Sequence, residues 1–338
     1  MTAPAGGLRL RLRLALADFP VDAAWSADGS ALAIAGGEGA VLLADTGTAP
    51  AARQIGAHRG GALAVTWQRA GRLFASSGQD GTVLLWDARA PAPRPIHEGS
   101  AWCDRLCFAD HGRLLAVAAG RVLYVFDAAG APLQTLSGHL GVIAALAWRP
   151  KSSELAAAGN GGARLHRLEP GPSARDYPAA GACLTAGWNA DGRLLAAGMQ
   201  DGRVQLWNVA TGQQSQLTGH GSRIIAADWS ANGRYLATAA GEELIAWDFS
   251  ARGAQGAEPL PLRAHSERLS ALAFRPGTSM LVSAARDRRL LLWRVGAAAQ
   301  PADAHLLHED CTLLRFSRDG RQLAAGDAAG GLSLYDCG

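Results

Sequence analysis

Thiolate and imidazole are the usual protein ligands of zinc, so the five cysteines and nine histidines of this 338-residue chain are the first candidates for chemistry. Cys103, Cys183 and Cys311 each stand five residues before an aromatic, Phe108, Trp188 and Phe316. The matching place elsewhere holds Ile143, Ile224 and Leu269. The position therefore accepts apolar bulk, and the three thiols read as small buried hydrophobes more readily than as one shared metal site. His305, His308 and Cys311 form a second, local candidate of loose spacing. His58, His139, His220 and His265 recur in phase, as a fold-supporting hydrogen bond repeated four times would require, whereas catalysis needs only one such residue. The glycine-rich Ala35-Gly36-Gly37-Glu38-Gly39 is followed by no helix, so it lacks the N-terminus that cradles a phosphate. No Gly-x-Ser-x-Gly elbow, His-Glu-x-x-His helix or EF-hand loop is present. No catalytic residue, metal or cofactor is expected on these grounds.

The elements that would position such residues repeat. Pairs of an aromatic or its substitute and a polar residue recur at Ala44-Asp45, Trp86-Asp87, Phe126-Asp127, His166-Arg167, Trp207-Asn208, Trp247-Asp248, Trp293-Arg294 and Tyr335-Asp336, in steps of 40 to 46 residues. About nineteen residues before each lies a second aromatic: Trp25, Trp67, Phe108, Trp148, Trp188, Trp229, Phe274 and Phe316. Between the markers the pattern is strand, turn, strand, turn, strand, as in 62 to 67, 72 to 77 and 83 to 86, and a fourth strand follows before the next unit. Four short antiparallel strands make one propeller blade, which cannot bury both faces alone and stacks on its neighbours.

On these residues the chain resembles the WD-repeat (WD40) β-propeller family over roughly residues 8 to 338. The resemblance is carried by the Gly-His before a unit, the Asp-Gly in its second hairpin and the Trp-Asp at the end of its third strand. It implies an all-β single propeller and a buried hydrogen-bond network. The full set for that network is present twice, as His58, Ser76, Asp80 and Trp86 and as His265, Ser283, Asp287 and Trp293. Units with His139 and His220 depart elsewhere, with Asn160 and Glu242 near the Asp position. The third and eighth units lack both the histidine and the tryptophan.

Eight markers of each kind predict eight blades, near 18–58, 59–99, 100–139, 140–180, 181–220, 221–265, 266–309 and 310–338, with seven, the commonest family number, as the alternative. The last unit has no fourth strand of its own. Residues 8 to 16, alternating leucine with arginine, fit an outer strand that fills the vacancy and closes the ring. Ala251 to Pro261, rich in Gly, Ala and Pro, is expected to be an enlarged surface loop between blades six and seven.

By comparison with the family, partners dock on the face where the loops into the inner strands and the second hairpins emerge. The matched residues there include Trp102 and Arg105, Arg223, Glu267 and Arg268, Glu309 and Asp310, with Arg286 on a neighbouring hairpin. Other units carry small residues such as Gly60-Gly61 and Gly181-Ala182, so bulk and charge gather on one arc. Tryptophan at 102 is not required by the repeat, which marks it as a hot-spot candidate.

Composition bounds the partner. With 49% hydrophobic and 18% charged residues the chain folds, and 32 basic against 29 acidic residues, a net +3, provide no field to capture nucleic acid or an anionic membrane. The five dispersed cysteines are unlike a disulfide framework, no secretory signal is evident and no apolar run approaches the ~18 residues of a spanning helix, so a cytoplasmic, monomeric protein is expected. Abundant alanine and arginine beside a single lysine, Lys151, look like the codon bias of a GC-rich bacterial genome. The leading expectation is a non-enzymatic scaffold for a protein or peptide partner. The alternative is a propeller enzyme, or a metal or small-molecule binder, using the channel mouth, where Asp22, Arg105 and Thr185 interrupt the small residues Ala64, Ala145, Ala226 and Ala271.

Overall fold

The computed structural model describes residues 7–47, 50–90, 92–168, 171, 173–251 and 257–338. Its regular structure is entirely β. Within each unit the strands run antiparallel and the first is innermost, as in Ala62–Trp67, Leu73–Gly78, Thr82–Asp87 and Arg94–Glu98. The sequence sets this arrangement through its turns. In the second unit Gly81 adopts φ 72°, and a Cβ there would lie 2.1 Å from the Gly99 carbonyl oxygen, so glycine is required for the hairpin to pass beneath the next loop.

Each inner strand lies beside the next, and Cys311–Phe316 lies beside Pro20–Trp25, which closes the ring. Apolar clusters form between units rather than within them. Ala33 and Val41 of the first unit pack with Trp67, Phe74 and Trp86 of the second. Trp25, Leu32 and Leu42 pack with Leu313, Leu332 and Leu334 of the eighth.

The expectation of eight blades is corrected in favour of its alternative, seven. Among the described residues the strands associate into seven sheets, six of four strands and one of six, because the fourth and fifth units share a sheet. The strand Ser173–Trp188 runs unbroken through the expected boundary. Its first half pairs with Glu154–Arg167, Tyr177 opposite Ala163, and its second half pairs with Leu194–Met199, Ala186 opposite Ala197. Where a Gly-His turn stands between units the chain leaves the sheet. Pro178 to Ala182 has no histidine, and its small residues stay extended, with Ala182 opposite Asn160.

The insert of the sixth unit also differs from the expected loop. Glu258–Pro261 is the fourth strand of that unit, with Pro259 opposite Trp247, while residues 252 to 256 lie outside the described residues.

The strand Leu8–Ala15 pairs antiparallel with Gly331–Cys337 and completes the last blade. Leu8 is buried, Leu12, Leu14 and Leu16 lie against the cluster shared by the first and eighth units, and Arg9 meets Asp336 at 2.7 Å. Removing residues 1 to 17 should lower the thermal midpoint by at least about 10 °C, since several leucines worth roughly 1.5–3 kcal/mol each lose their burial. A midpoint equal to that of the intact chain would show that this pairing does not close the ring.

Candidate functional site

Backbone bonds fix one face of the ring. The residue just before each inner strand is bonded to the end of its neighbouring second strand in five units, through the N–H of Gly37 to Phe19 O, Gln79 to Gly61 O, Gln200 to Ala182 O, Arg286 to Arg268 O and Ala328 to Asp310 O. The loop and the second hairpin are thereby tied at the channel mouth. The eight residues at that place are Phe19, Gly61, Trp102, Val142, Ala182, Arg223, Arg268 and Asp310. Their chemistry divides the mouth: Phe19, Trp102 and Val142 are 38%, 57% and 55% exposed, and the charged side chains follow in units six to eight.

Trp102, Arg223, Arg268 and Asp310 thus occupy equivalent places, and Arg286 joins them through its ion pair with Asp310 at 3.8 Å. Arg105 does not. It lies inside the strand Cys103–Phe108, where its Nε donates to the Ala144 carbonyl at 2.7 Å and its Nη1 to that of Asp104 at 2.6 Å. Its guanidinium spans two inner strands.

The mouth also carries residues that sequence reasoning passed over. Leu140 is 75% exposed, and with Val142 it roofs a cleft of about 230 Å³ that also includes His139, Asn160, Arg164 and Asp176. The available signal was two bulky apolar residues, Leu140 and Val142, within three positions after Gly-His, in a turn where exposure was the default.

Deeper in the channel, Arg315 donates to Asp22 at 2.7 Å. Asp228 accepts the N–H of Phe274 at 2.7 Å and of Trp229 at 2.9 Å, yet desolvation among the inner strands pushes its carboxyl up to about 6. Arg315 and Asp228 line a cleft of about 480 Å³ between units six and eight.

The repeated histidines occur in three arrangements. His58 Nε2 meets Ser76 Oγ at 2.8 Å, Trp86 Nε1 donates to the same oxygen at 2.9 Å, and His58 Nδ1 faces Asp80 at 3.2 Å. The seventh unit repeats this with His265, Ser283, Trp293 and Asp287 at 2.8, 2.8 and 3.0 Å. In the sixth, Thr238 replaces the serine, 2.7 Å from His220 and 2.8 Å from Trp247, and the carboxylate facing His220 is Glu243 at 3.5 Å, not Glu242. In the fourth, His166 stands where the tryptophan would be and its Nε2 lies 3.3 Å from that of His139, so one ring donates and the other accepts.

The cysteines at 103, 183 and 311 are buried with their thiols pushed up to about 12 by desolvation, which suits packing and not nucleophilic attack. His305 bonds Asp303 at 3.2 Å. Among the described residues no group of three or more His, Cys, Asp or Glu side chains could hold a metal ion. Among the described residues no helix is long and apolar enough to cross a membrane.

A closed ring of four-stranded blades, carrying His–Ser–Trp networks at the hairpin ends, defines a WD-repeat propeller. The chain belongs to the family described as WD domain, G-beta repeat, whose model matches residues 51–87, 130–167, 179–208, 212–252 and 258–294. It is similar to WD repeat-containing protein slp1 of Schizosaccharomyces pombe, 23% identical over 80% of this chain and 49% of that protein. It is also similar to B-type cell cycle switch protein ccs52B of Medicago truncatula, 23% identical over 80% of this chain and 48% of that one. Autophagy-related protein 16 of Arabidopsis thaliana is 28% identical over 55% of this chain and 38% of its own length. The chain spans half or less of the length of these relatives, all of them eukaryotic.

Two outcomes follow from the networks. Ser76→Ala strands the Trp86 indole N–H and His58 Nε2 without partners and should cost about 1–3 kcal/mol, measured by urea unfolding; a change below about 0.5 kcal/mol would show that the network adds nothing. Burial lowers the pKa of six histidines, His58, His97, His139, His166, His220 and His265, the fourth from 6.5 to about 4. The unfolded chain therefore takes up protons first, so stability is full above pH 6.5 and is lost as pH falls from there towards about 4. A thermal midpoint that stays flat between pH 7.5 and 5 would contradict this.

Proposed function

We propose that this propeller is a non-enzymatic interaction scaffold that receives a protein or peptide partner across its channel mouth. The observation that carries the reading is the division of the eight mouth residues, with exposed Phe19, Trp102 and Val142, joined by Leu140, on one arc and Arg223, Arg268 and Asp310 on the other. Single surface hydrophobes are ordinary, but four large ones on the loops of one face form the apolar centre that an interface needs. Similarity to a cell cycle switch protein and to an autophagy-related protein supports a role in regulation. The near-neutral net charge supports a partner other than nucleic acid or an anionic membrane surface. A cytoplasmic monomer of bacterial origin is part of the same proposal, the last resting on composition alone.

A second reading, a small molecule or metal held in the channel, draws support from the Asp22–Arg315 pair and the raised Asp228 carboxyl. Affinity capture from native extract, with elemental analysis of the eluates, separates the two. A protein held by the wild type should fall at least about tenfold with Trp102→Ala/Val142→Ala while the thermal midpoint moves by no more than about 2 °C. Wild-type capture by the folded variant would remove this mouth as the site. Stoichiometric metal or a small molecule without any enriched protein would favour the channel.

A further inference from the structure

The turn between second and third strands is built alike in five units. A residue in the left-handed region donates its N–H three residues back: Gly39 to Gly36, Gly81 to Gly78, Gly202 to Met199, Arg288 to Ala285 and Gly330 to Asp327. Their φ values are 113°, 72°, 86°, 59° and 83°. Four of the five are glycine, for which this conformation is free; the seventh unit has arginine. Among the described residues only Lys151 and Arg288 are non-glycine with positive φ. An L side chain there carries backbone strain that a glycine would not.

Among the described residues the Arg288 side chain is exposed and makes no hydrogen bond or ion pair. It stands at the channel mouth beside other arginines. Arg286, two residues earlier and 65% exposed, is tied by its own N–H to the Arg268 carbonyl at 2.9 Å. Arg268 and, at the equivalent place in the sixth unit, Arg223 are exposed with side chains that, among the described residues, engage no partner. Among the described residues the Arg286 side chain meets one partner, Asp310 at 3.8 Å, longer than a direct hydrogen bond. Asp287, which would neutralise the hairpin, is turned inward to His265 and to the N–H groups of Ser266 and Arg289. Glu267 and Glu309 flank the cluster without closing on it in any described contact, which limits its reach to a short stretch of anion.

We infer that Arg268, Arg286 and Arg288, with Arg223, form a recognition arc for a carboxylate-rich (Asp/Glu) segment of the protein partner, and that Arg288 holds its left-handed conformation to present its guanidinium there. This rests on the scaffold reading, and adds the chemistry of the segment. Guanidinium matches carboxylate in paired, charge-assisted hydrogen bonds, and the apolar arc across the mouth leaves a neighbouring place for a hydrophobic residue of the same segment.

The test selects binders from a random dodecapeptide display library on the immobilised full chain, then measures the enriched peptides by fluorescence polarisation against four variants. Enriched peptides should carry two or more Asp or Glu residues, and Arg268→Glu/Arg288→Glu should abolish their binding. Arg288→Gly should weaken binding by about tenfold and at the same time raise the thermal midpoint, whereas Arg288→Lys should keep part of the affinity. Opposite signs on binding and stability are not expected from a merely structural residue. Peptides without acidic residues that are lost only with Trp102→Ala would overturn the carboxylate arc and leave the scaffold standing. Peptides indifferent to both sets of substitutions, or no enrichment at all, would overturn both.

Discussion

A blade exposes an apolar face on each side and cannot satisfy either alone, so the molecule depends on how one inner strand is locked to the next. The lock is visible in the inner aromatics. Trp25 donates its indole N–H to the Arg315 carbonyl, Trp148 to Cys107, Trp188 to Ala147 and Trp229 to Gly187, each time to the last residue but one of the preceding inner strand. The first of these bonds joins the two ends of the chain's ring. Where phenylalanine removes the donor, the preceding strand can supply a polar side chain instead. Thr66 accepts the N–H of Phe108 at 3.3 Å, and Asp228 that of Phe274 at 2.7 Å. The raised Asp228 carboxyl is thus tied to a structural bond. The second unit combines the two devices differently: Trp67 donates to Gly71 of its own unit, and Asp22 of the preceding inner strand accepts the N–H of Val65 at 3.0 Å.

The networks of histidine, hydroxyl and tryptophan act at the opposite end of the second, sixth and seventh units. They hold the loop before an inner strand against the hairpin of the same blade, and the loop then presents its next residues at the mouth. A mouth built this way is rigid in its backbone and free in its side chains. That combination suits binding, because the cost of ordering the loop is already met by the fold. In the fourth unit the network is reduced to two imidazoles, and the same unit bears the most exposed leucine of the mouth and its cleft.

The period and the aromatic markers were legible in the amino-acid sequence because each is a local requirement repeated in every unit, and the histidines because they recur in phase in four of them; repetition separates signal from composition. Trp102 was legible for the converse reason, as a large residue the repeat does not ask for. The joining of the fourth and fifth units was not. The continuity of Ser173–Trp188 follows from the absence of a turn, and an absence between two ordinary strands leaves no mark of its own. The fourth strand at Glu258–Pro261 was obscured by its two prolines, which an outer edge strand tolerates.

By itself, then, the sequence determined an all-β ring of repeated four-stranded units, its structural histidines and the arc on which bulk and charge collect. Only the tertiary structure decided that eight units are carried on seven sheets, that Arg105 is spent on the Ala144 carbonyl, that Leu140 and Val142 face solvent, and that Arg288 keeps the left-handed conformation that four other units give to glycine. These depend on how far one strand stands from the next and on which way a loop residue turns. Both are set by packing between units distant in the chain, which no local pattern encodes.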